Sequence, residues 1–299
     1  MLGPEFRQND TANRNVDSLQ ESPTAKRAAQ LNGQTRILQT YGHHQQKTME
    51  LVLSASTEFD TLSGRSVSVL GAGNCMDLDL SLLASLFEKV NLLDIDRAAL
   101  ETGVKALTAV LLSRLQIIAP VDLAFPLATA TASELSDNDR VEQMCRKLEA
   151  PLAGLPVSPA DVVVSTCVLS QMISAVSQLV TDKHPRFLSL IQAVRRGHLV
   201  RILQMLKPGG RGILISDLVS SESTPEMTSI GDSDLPQLLA QALAQGNFFS
   251  GLHPGVMLQD LKSSPEIAGA IEASALTAPW RWQMGPRTYA VYAVTFRKK

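Results

Sequence analysis

The sequence lacks an excess of charge of either sign. Its 27 lysine and arginine residues face 29 aspartate and glutamate residues, for a formal net charge of -2 at pH 7. Such a balance gives no overall field that would draw the chain onto a polyanion, so no nucleic acid is expected as a partner. The sequence also has no run of about 18 apolar residues and no basic-then-apolar leader. We therefore expect a cytoplasmic protein without a membrane partner.

Cysteine is scarce. The three cysteines, Cys75, Cys145 and Cys167, are odd in number and widely spaced. This pattern argues against a disulfide framework and against the paired cysteines of a zinc site. No metal site is predicted, and the thiols suit a reducing compartment.

The chain divides into three predicted segments. Residues 1–34 consist of a tag-like remnant, Met1 to Phe6, and a polar stretch that is expected to be mobile. Residues 35–62 carry apolar residues at helical spacing and are expected to form a lid of two helices broken near Gly42. Residues 63–299 are expected to form one domain, since 44% of the chain is apolar and can supply a large core.

Strand and helix patterns alternate through this domain. Strands are predicted at 66–70, 89–95, 115–123, 161–165 and 211–216. Helical patterns lie between them, the clearest at 141–148 and 185–206. Short connections of this kind indicate an α/β, Rossmann-like, doubly wound and mainly parallel sheet with helices on both faces. The C-terminus differs, because 281–284 and 288–297 flank Gly285-Pro286 and predict an antiparallel hairpin. Trp280 and Trp282 would then share one side of a strand, and the sequence leaves open whether they wall a substrate site or pack in the core or at its rim.

A glycine turn follows the first predicted strand. Gly71 and Gly73 stand where a doubly wound sheet collects its ligands, beyond the carboxyl ends of the strands. Asp94 ends the second predicted strand about twenty residues later and can accept hydrogen bonds from a ribose diol, while Asp96 is placed to cap the next helix. Met76 occupies the position where a dinucleotide loop wants its third glycine, which argues against a pyrophosphate ligand.

Four segments together carry a family resemblance: Val69-Leu-Gly-Ala-Gly-Asn-Cys-Met-Asp77, Leu93-Asp-Ile-Asp96, Asp161-Val-Val-Val-Ser-Thr-Cys-Val-Leu169 and Leu206-Lys-Pro-Gly-Gly-Arg211. In this order and spacing, from about Val67 to the C-terminus, the chain resembles class I S-adenosylmethionine-dependent methyltransferases. It departs from the family at Cys75, where a third glycine is usual.

The resemblance implies S-adenosylmethionine as cofactor and S-adenosylhomocysteine as product. The glycine loop would contact the methionine moiety, the acid after the second strand the ribose, and a polar residue after the third strand the adenine. The segment after the fourth strand would pass beside the amine and the sulfonium. The cofactor-binding residues implied in this way are Gly71, Ala72, Gly73, Asn74, Asp94, Ile95, Asp122, Leu123, Ser165, Thr166 and Cys167.

The sequence does not assign a catalytic residue. Methyl transfer from a sulfonium is an in-line displacement on an activated carbon, so positioning can suffice and a base is optional. The weak candidates are Tyr41, His44, His184 and His253, whereas His198 lies on the apolar stripe of a long helix and is expected to pack as a buried histidine.

The segment after the fourth strand lacks the Asn/Asp-Pro-Pro-Tyr of methyltransferases that act on adenine or glutamine amide nitrogens. The leading hypothesis is therefore a methyltransferase for a small molecule whose attacked atom stays open. The alternatives are a cofactor-binding partner subunit without chemistry and an aminocarboxypropyl or aminopropyl transferase. A nicotinamide-dependent dehydrogenase is the weakest reading. A homo-oligomer is left open.

Overall fold

The computed structural model describes residues 42–57, 59, 64–155 and 157–299. The tag-like remnant, the polar N-terminal stretch and Tyr41 lie outside these residues. The described helices are α1 (Gly42–Ser56), α2 (Leu80–Leu86), α3 (Arg97–Val104), α4 (Ala109–Leu112), α5 (Asn138–Glu149), α6 (Val168–Leu179), α7 (Phe187–Met205), α8 (Leu235–Ala244), α9 (Pro254–Ser263) and α10 (Pro265–Ala270). The described strands are β1 (Ser66–Leu70), β2 (Lys89–Leu93), β3 (Leu115–Ile118), β4 (Ala160–Thr166), β5 (Leu206–Ser220), β6 (Ile271–Leu276), β7 (Trp280–Met284) and β8 (Arg287–Lys298).

These strands form one sheet in the order β3-β2-β1-β4-β5-β8-β6, with β7 also paired to β8. Neighbours from β3 to β5 run parallel, and β8 runs antiparallel to β5, β6 and β7. The strand order reverses between β1 and β4, which lie side by side. The carboxyl ends of β1, β2 and β4 therefore meet at one edge of the sheet. The predicted Rossmann-like fold with a C-terminal antiparallel hairpin is confirmed.

The central strands are apolar because both faces of the sheet are covered. Every residue of β1 and β4 is buried, which is the usual state of parallel strands and explains their runs of valine. Two large apolar clusters lie on the two faces. One holds Leu169, Ile191 and Leu199, and the other holds Val52, Leu83 and Trp280.

Several boundaries differ from the sequence prediction. β3 stops at Ile118 because Pro120, which has no N–H to donate to a ladder, follows almost at once. β5 continues to Ser220, well past the predicted end, because β8 pairs with it along its length. The helices α6, α8, α9 and α10 and the strand β6 were not predicted.

The helix α1 is the described part of the predicted lid. It buries Met49 and Val52 in the cluster that holds Trp280 and Trp282, and Gln45 Nε2 donates to the Leu78 carbonyl at 2.7 Å. Its N-terminal turn thereby lies against the loop that follows β1. Among the described residues, no helix is both long and apolar enough to cross a membrane.

Candidate active site

The turn after β1 requires glycine. Gly71 has φ +70 and Gly73 φ +51, in the left-handed region that side chains disfavour. A Cβ on Gly71 would also lie 2.6 Å from the Cβ of Val168, the first residue of α6. The Thr166 hydroxyl donates to the Gly71 carbonyl at 2.8 Å. The end of β4 therefore fixes the glycine turn from the neighbouring strand.

Cys75 has a backbone conformation that favours glycine. Its φ is +60, in the left-handed region, although it carries a side chain. Space for that side chain comes from Gly103 of α3, where a Cβ would lie 3.0 Å from Cys75 Sγ and 2.5 Å from the Asn74 carbonyl oxygen. The departure at Cys75 is thus accommodated by a second glycine 28 residues along the chain.

Asp94 joins the ends of β1 and β2. Its Oδ2 accepts from the Gly73 N–H and its Oδ1 from the Asp96 N–H, both at 2.8 Å. Burial raises the pKa of this carboxyl and the two backbone hydrogen bonds lower it, for a net value of about 6. Asp96 caps α3 by accepting from the Ala99 N–H at 3.0 Å, so its predicted role as a cap is confirmed.

Two adjoining cavities open at this edge of the sheet. The larger has a volume of ≈ 420 Å³, and the smaller is a cleft of ≈ 30 Å³ that shares Gly71 and Asp94 with it. Of the residues implied by the resemblance, the larger cavity is lined by Gly71, Ala72, Gly73, Asn74, Asp94, Thr166 and Cys167. The smaller is lined by Gly71, Asp94, Ile95, Asp122 and Leu123.

Ser165 lines neither cavity. Its hydroxyl lies 2.7 Å from Nε2 of His198, which is fully buried as predicted. Burial, with a contribution from Arg201, lowers the pKa of His198 to about 3. This serine and histidine form a buried neutral pair under the sheet.

The small cleft is mostly apolar, and its polar side chains are those of Asp94, Asp122 and Gln171. Val121 and Leu123 line it beside Asp122. Asp122 Oδ1 accepts from the Ala124 N–H at 2.8 Å, while Oδ2 is buried with no hydrogen-bond partner among the described residues. Burial raises the pKa of Asp122 despite that backbone hydrogen bond. An acceptor in an apolar slot suits a flat ligand that carries an N–H donor.

A buried arginine supports this cleft from behind. Arg201 of α7 is fully buried and donates to the carbonyls of Leu123, Phe125 and Leu148. Three backbone carbonyls satisfy much of the guanidinium and tie the loop after β3 to a long core helix. Arg201 thereby positions Asp122 without lining the cleft.

The rest of the large cavity comes from residues that sequence reasoning did not assign. Asp77, Asp217, Trp282 and Tyr289, here called the aromatic set, line it together with Gln171 and Phe249. Gly71, Gly73 and Asp94 are the glycine set. Asp217 follows the predicted end of the fifth strand, so the rule that selected Asp94 could have selected it. For Trp282 the sequence left a substrate-site wall and core packing equally open, and the structure places its side chain at the cavity.

His44 is the one of the described weak catalytic candidates that lies near the cavity. It is fully buried, stacks on Trp282 with ring centroids 4.4 Å apart, and accepts at Nδ1 from Trp280 Nε1 at 3.0 Å. Burial, with a contribution from His43, lowers its pKa to about 3. A neutral ring that accepts at Nδ1 carries its proton on Nε2, 3.7 Å from Asp77 Oδ1. His44 is therefore neutral, with its N–H toward Asp77 but beyond hydrogen-bond distance, and it is not a base.

The other two described candidates cap local structure. His184 Nδ1 accepts from the Arg186 N–H at 3.2 Å, and His253 Nδ1 accepts from the Gly255 N–H at 3.0 Å as the cap of α9. Neither lines a cavity described above. Tyr41 lies outside the described residues. Within the described chain no three His, Cys, Asp or Glu side chains are grouped to hold a metal ion.

Cys167 lines the large cavity but is not set up as a nucleophile. It is buried, with φ +47 at the start of α6. Burial, then the nearby carboxylates of Asp217 and Asp77, raises the pKa of its thiol well above the usual value. A reactive cysteine needs the opposite shift.

No protein-family model matches the chain, and no curated protein matches it. Solved structures similar to it include the N-methyltransferase NodS from Bradyrhizobium japonicum WM9, 10% identical over 85% of this chain and 94% of that one, with a TM-score of 0.40. An arsenic(III) S-adenosylmethionine methyltransferase from Chlamydomonas reinhardtii is 17% identical over 82% and 72%, with a TM-score of 0.38. An O-methyltransferase family protein from Burkholderia thailandensis is 15% identical over 84% and 55%, with a TM-score of 0.39.

The strand order and the glycine turn make the fold a Rossmann-like doubly wound sheet with an antiparallel C-terminal hairpin.

Proposed function

We propose that this chain is an S-adenosylmethionine-dependent methyltransferase that acts on a small molecule. The observation that carries the proposal is the continuity of three features at one edge of the sheet. These are the glycine turn, the Asp94 carboxylate and the narrow cleft that ends at Asp122 Oδ2. They suit in turn an amino acid moiety, a ribose diol and an adenine amino group. When bound, the cofactor supplies a methyl carbon activated by a positively charged sulfur.

The residues of the chain bind and orient in this proposal. Asp94 accepts from ribose hydroxyls while its two backbone hydrogen bonds hold its position, and Asp122 Oδ2 accepts from the adenine amine. Four carboxyl groups line the large cavity, from Asp77, Asp94, Asp217 and Glu222, against the Arg287 guanidinium. That charge balance favours a cationic ligand such as a sulfonium with an α-ammonium group.

The space left to the methyl acceptor supports a small molecule. The large cavity of ≈ 420 Å³ has to hold both the methyl acceptor and part of the cofactor. Trp282 and Tyr289 wall it with buried rings, 7% exposed each, that keep water from the reacting atoms. Transfer then depends on alignment more than on a dedicated base.

Calorimetric titration of the purified chain with S-adenosylhomocysteine, and with NAD for comparison, tests the proposal. We expect S-adenosylhomocysteine to bind and NAD not to bind. Gly71→Ala is expected to abolish that binding because of its clash with Val168. Gly285→Ala is the matched control, since Gly285 also has a positive φ of +58 but open space around it. A folded chain that binds neither S-adenosylmethionine nor S-adenosylhomocysteine would contradict the proposal.

The transferred group is read from the products. Turnover that releases S-adenosylhomocysteine indicates methyl transfer, whereas methylthioadenosine would indicate aminocarboxypropyl or aminopropyl transfer on the same fold. Cofactor binding with no product from any acceptor would favour a partner subunit without chemistry.

A further inference from the structure

Two carboxyl groups of the large cavity keep an oxygen without a partner. Asp217, at 7% exposure, has Oδ1 buried with no hydrogen-bond partner among the described residues. Asp77 Oδ1 is in the same state, since His44 Nε2 at 3.7 Å is beyond hydrogen-bond distance. Both side chains line the cavity. A buried carboxylate oxygen without a donor is costly unless a ligand supplies one.

The surroundings do not neutralise these two groups. Arg287 is the one cation among the described residues that line the cavity, and it forms an ion pair with Glu222. The titratable groups around Asp217 are the Cys167 thiol and the phenols of Tyr289 and Tyr292, and burial raises the pKa of each. All three are uncharged near neutral pH. Asp77 faces the neutral His44 ring, and burial raises the pKa of Asp77 to about 7. Each of the two carboxyl groups therefore either takes up a proton or pairs with a cationic ligand.

Aromatic rings accompany these carboxyl groups. The rings of Trp282 and Tyr289 have centroids 5.5 Å apart, and Phe249 lies 6.3 Å from Tyr289. All three residues line the cavity. Aromatic faces bind both apolar groups and cations. A ligand that pairs a cationic nitrogen with an apolar body matches this combination.

We propose that Asp217, assisted by Asp77, binds the amino group of the methyl acceptor, and that the acceptor is an amine with an apolar or aromatic body. This inference rests on the proposed methyltransferase function and names its substrate class. Asp94 is assigned to the ribose in the proposed function, and neither of its oxygens is left without a donor, since each accepts a backbone hydrogen bond.

The chemistry of an amine acceptor requires one proton transfer. An alkylamine is an ammonium ion at neutral pH and has no free electron pair with which to attack carbon. The proton passes from the nitrogen to a carboxylate oxygen of Asp217: the N–H bond breaks, an O–H bond forms, and the nitrogen keeps the electron pair. Burial raises the pKa of Asp217 to about 6, against a smaller opposing effect of a hydrogen bond from Ser170. A base with a pKa nearer neutrality accepts a proton more readily than an ordinary aspartate.

The test compares three probes of one shape in the presence of saturating S-adenosylhomocysteine: 2-phenylethylamine, 2-phenylethanol and 3-phenylpropionate. We expect calorimetry to show the amine binding at least tenfold more tightly than the alcohol, and the carboxylate binding least. The preference for the amine should shrink below about pH 6, where Asp217 takes up a proton.

Asp217→Asn should weaken amine binding at least tenfold and remove the pH dependence, while S-adenosylhomocysteine binds within threefold of the wild type. Glu226→Gln is the matched control, because Glu226 is exposed and does not line the cavity, and it should retain the preference for the amine.

Three results would overturn this inference. The first is that the wild type shows no preference for the amine, which includes no binding of any probe. The second is that Asp217→Asn binds the amine as tightly as the wild type does. The third is that Asp217→Asn loses S-adenosylhomocysteine affinity as much as it loses amine affinity. The last would mean that Asp217 serves the cofactor. The probe comparison on the wild type needs no variant to fold. Failure of the chain to bind S-adenosylhomocysteine at all counts against the proposed function instead.

Discussion

In the glycine set both oxygens of the Asp94 carboxylate accept backbone N–H groups from the loops that it joins, so neither is left without a donor. In the aromatic set Asp77 and Asp217 each retain an oxygen with no partner among the described residues. The first arrangement gives a loop that is formed before any ligand arrives. The second leaves unsatisfied groups that a ligand can complete. One side of the cavity is thus preorganised, and the other side holds buried carboxyl oxygens that lack hydrogen-bond donors.

The largest effect is expected at Asp94. Asp94→Ala removes the carboxylate that holds the Gly73 and Asp96 N–H groups and that is placed for the ribose diol. We expect S-adenosylhomocysteine affinity to fall on the order of a hundredfold, as for a lost pair of charge-assisted hydrogen bonds. Asp96→Asn is the control, since asparagine also caps helices. Calorimetry measures both, and an equal loss in the two variants would contradict the separate roles of these residues.

The next effect tests how the glycine set is packed. Gly103→Ala places a Cβ 2.5 Å from the Asn74 carbonyl oxygen, so the loop or α3 has to shift. We expect a loss of about 2 kcal/mol in the free energy of unfolding, as for an overpacked core, and weaker cofactor binding. Gly269→Ala, in α10 with open space, should not destabilise the chain. Urea unfolding of both variants checks this, and equal stability would show that the loop is not tightly seated.

The third effect concerns two carboxyl groups, Asp217, which we propose binds a ligand, and Asp161, which forms ion pairs within the fold. The pKa of Asp217 is about 6 in the folded chain and about 3.9 when unfolded. The folded state therefore binds the extra proton, and stability falls as the pH rises from about 4 to 6. Asp217→Asn should stabilise the unliganded chain by about 1–3 kcal/mol at pH 8 and not at pH 4.

Asp161 should behave in the opposite way. Burial raises its pKa, but hydrogen bonds from Lys207 and Arg65 outweigh burial and lower the pKa to about 2. The ionised Asp161 carboxylate therefore stabilises the folded chain above pH 4, and this contribution is lost as the pH falls through about 2. Asp161→Asn should therefore destabilise the chain at pH 8. Thermal unfolding across pH measures both variants, and a destabilised Asp217→Asn at pH 8 would remove the distinction between the two carboxyl groups.

The smallest effect concerns Cys75. At φ +60 glycine is favoured over alanine by about 1 kcal/mol, so Cys75→Gly should be more stable than Cys75→Ala. Cys145 lies in the helix α5. Alanine is favoured over glycine in a helix by about 1 kcal/mol, so Cys145→Ala should be more stable than Cys145→Gly. Urea unfolding of the four variants tests this comparison. The same order at both sites would mean that the loop relaxes to a negative φ.

The sequence predicted the glycine set because its residues are linked by short, regular spacing. Gly71, Gly73 and Asp94 follow the ends of two consecutive strands, and a parallel sheet brings the ends of such strands together. The same logic placed Asp96 as a cap. It did not predict α6, although the wall of the glycine turn includes Val168, since the apolar residues there also suit a buried strand.

The sequence by itself determined a mainly parallel α/β sheet and a glycine turn at the carboxyl end of β1, because local periodicity and backbone sterics specify both. Only the tertiary structure decided the aromatic set. Trp282 and Tyr289 reach the cavity because β7 and β8 pair antiparallel beside β5, and His44 faces Asp77 because α1 packs on that hairpin. These contacts join residues up to 236 positions apart, and packing between distant segments leaves no local pattern in the chain.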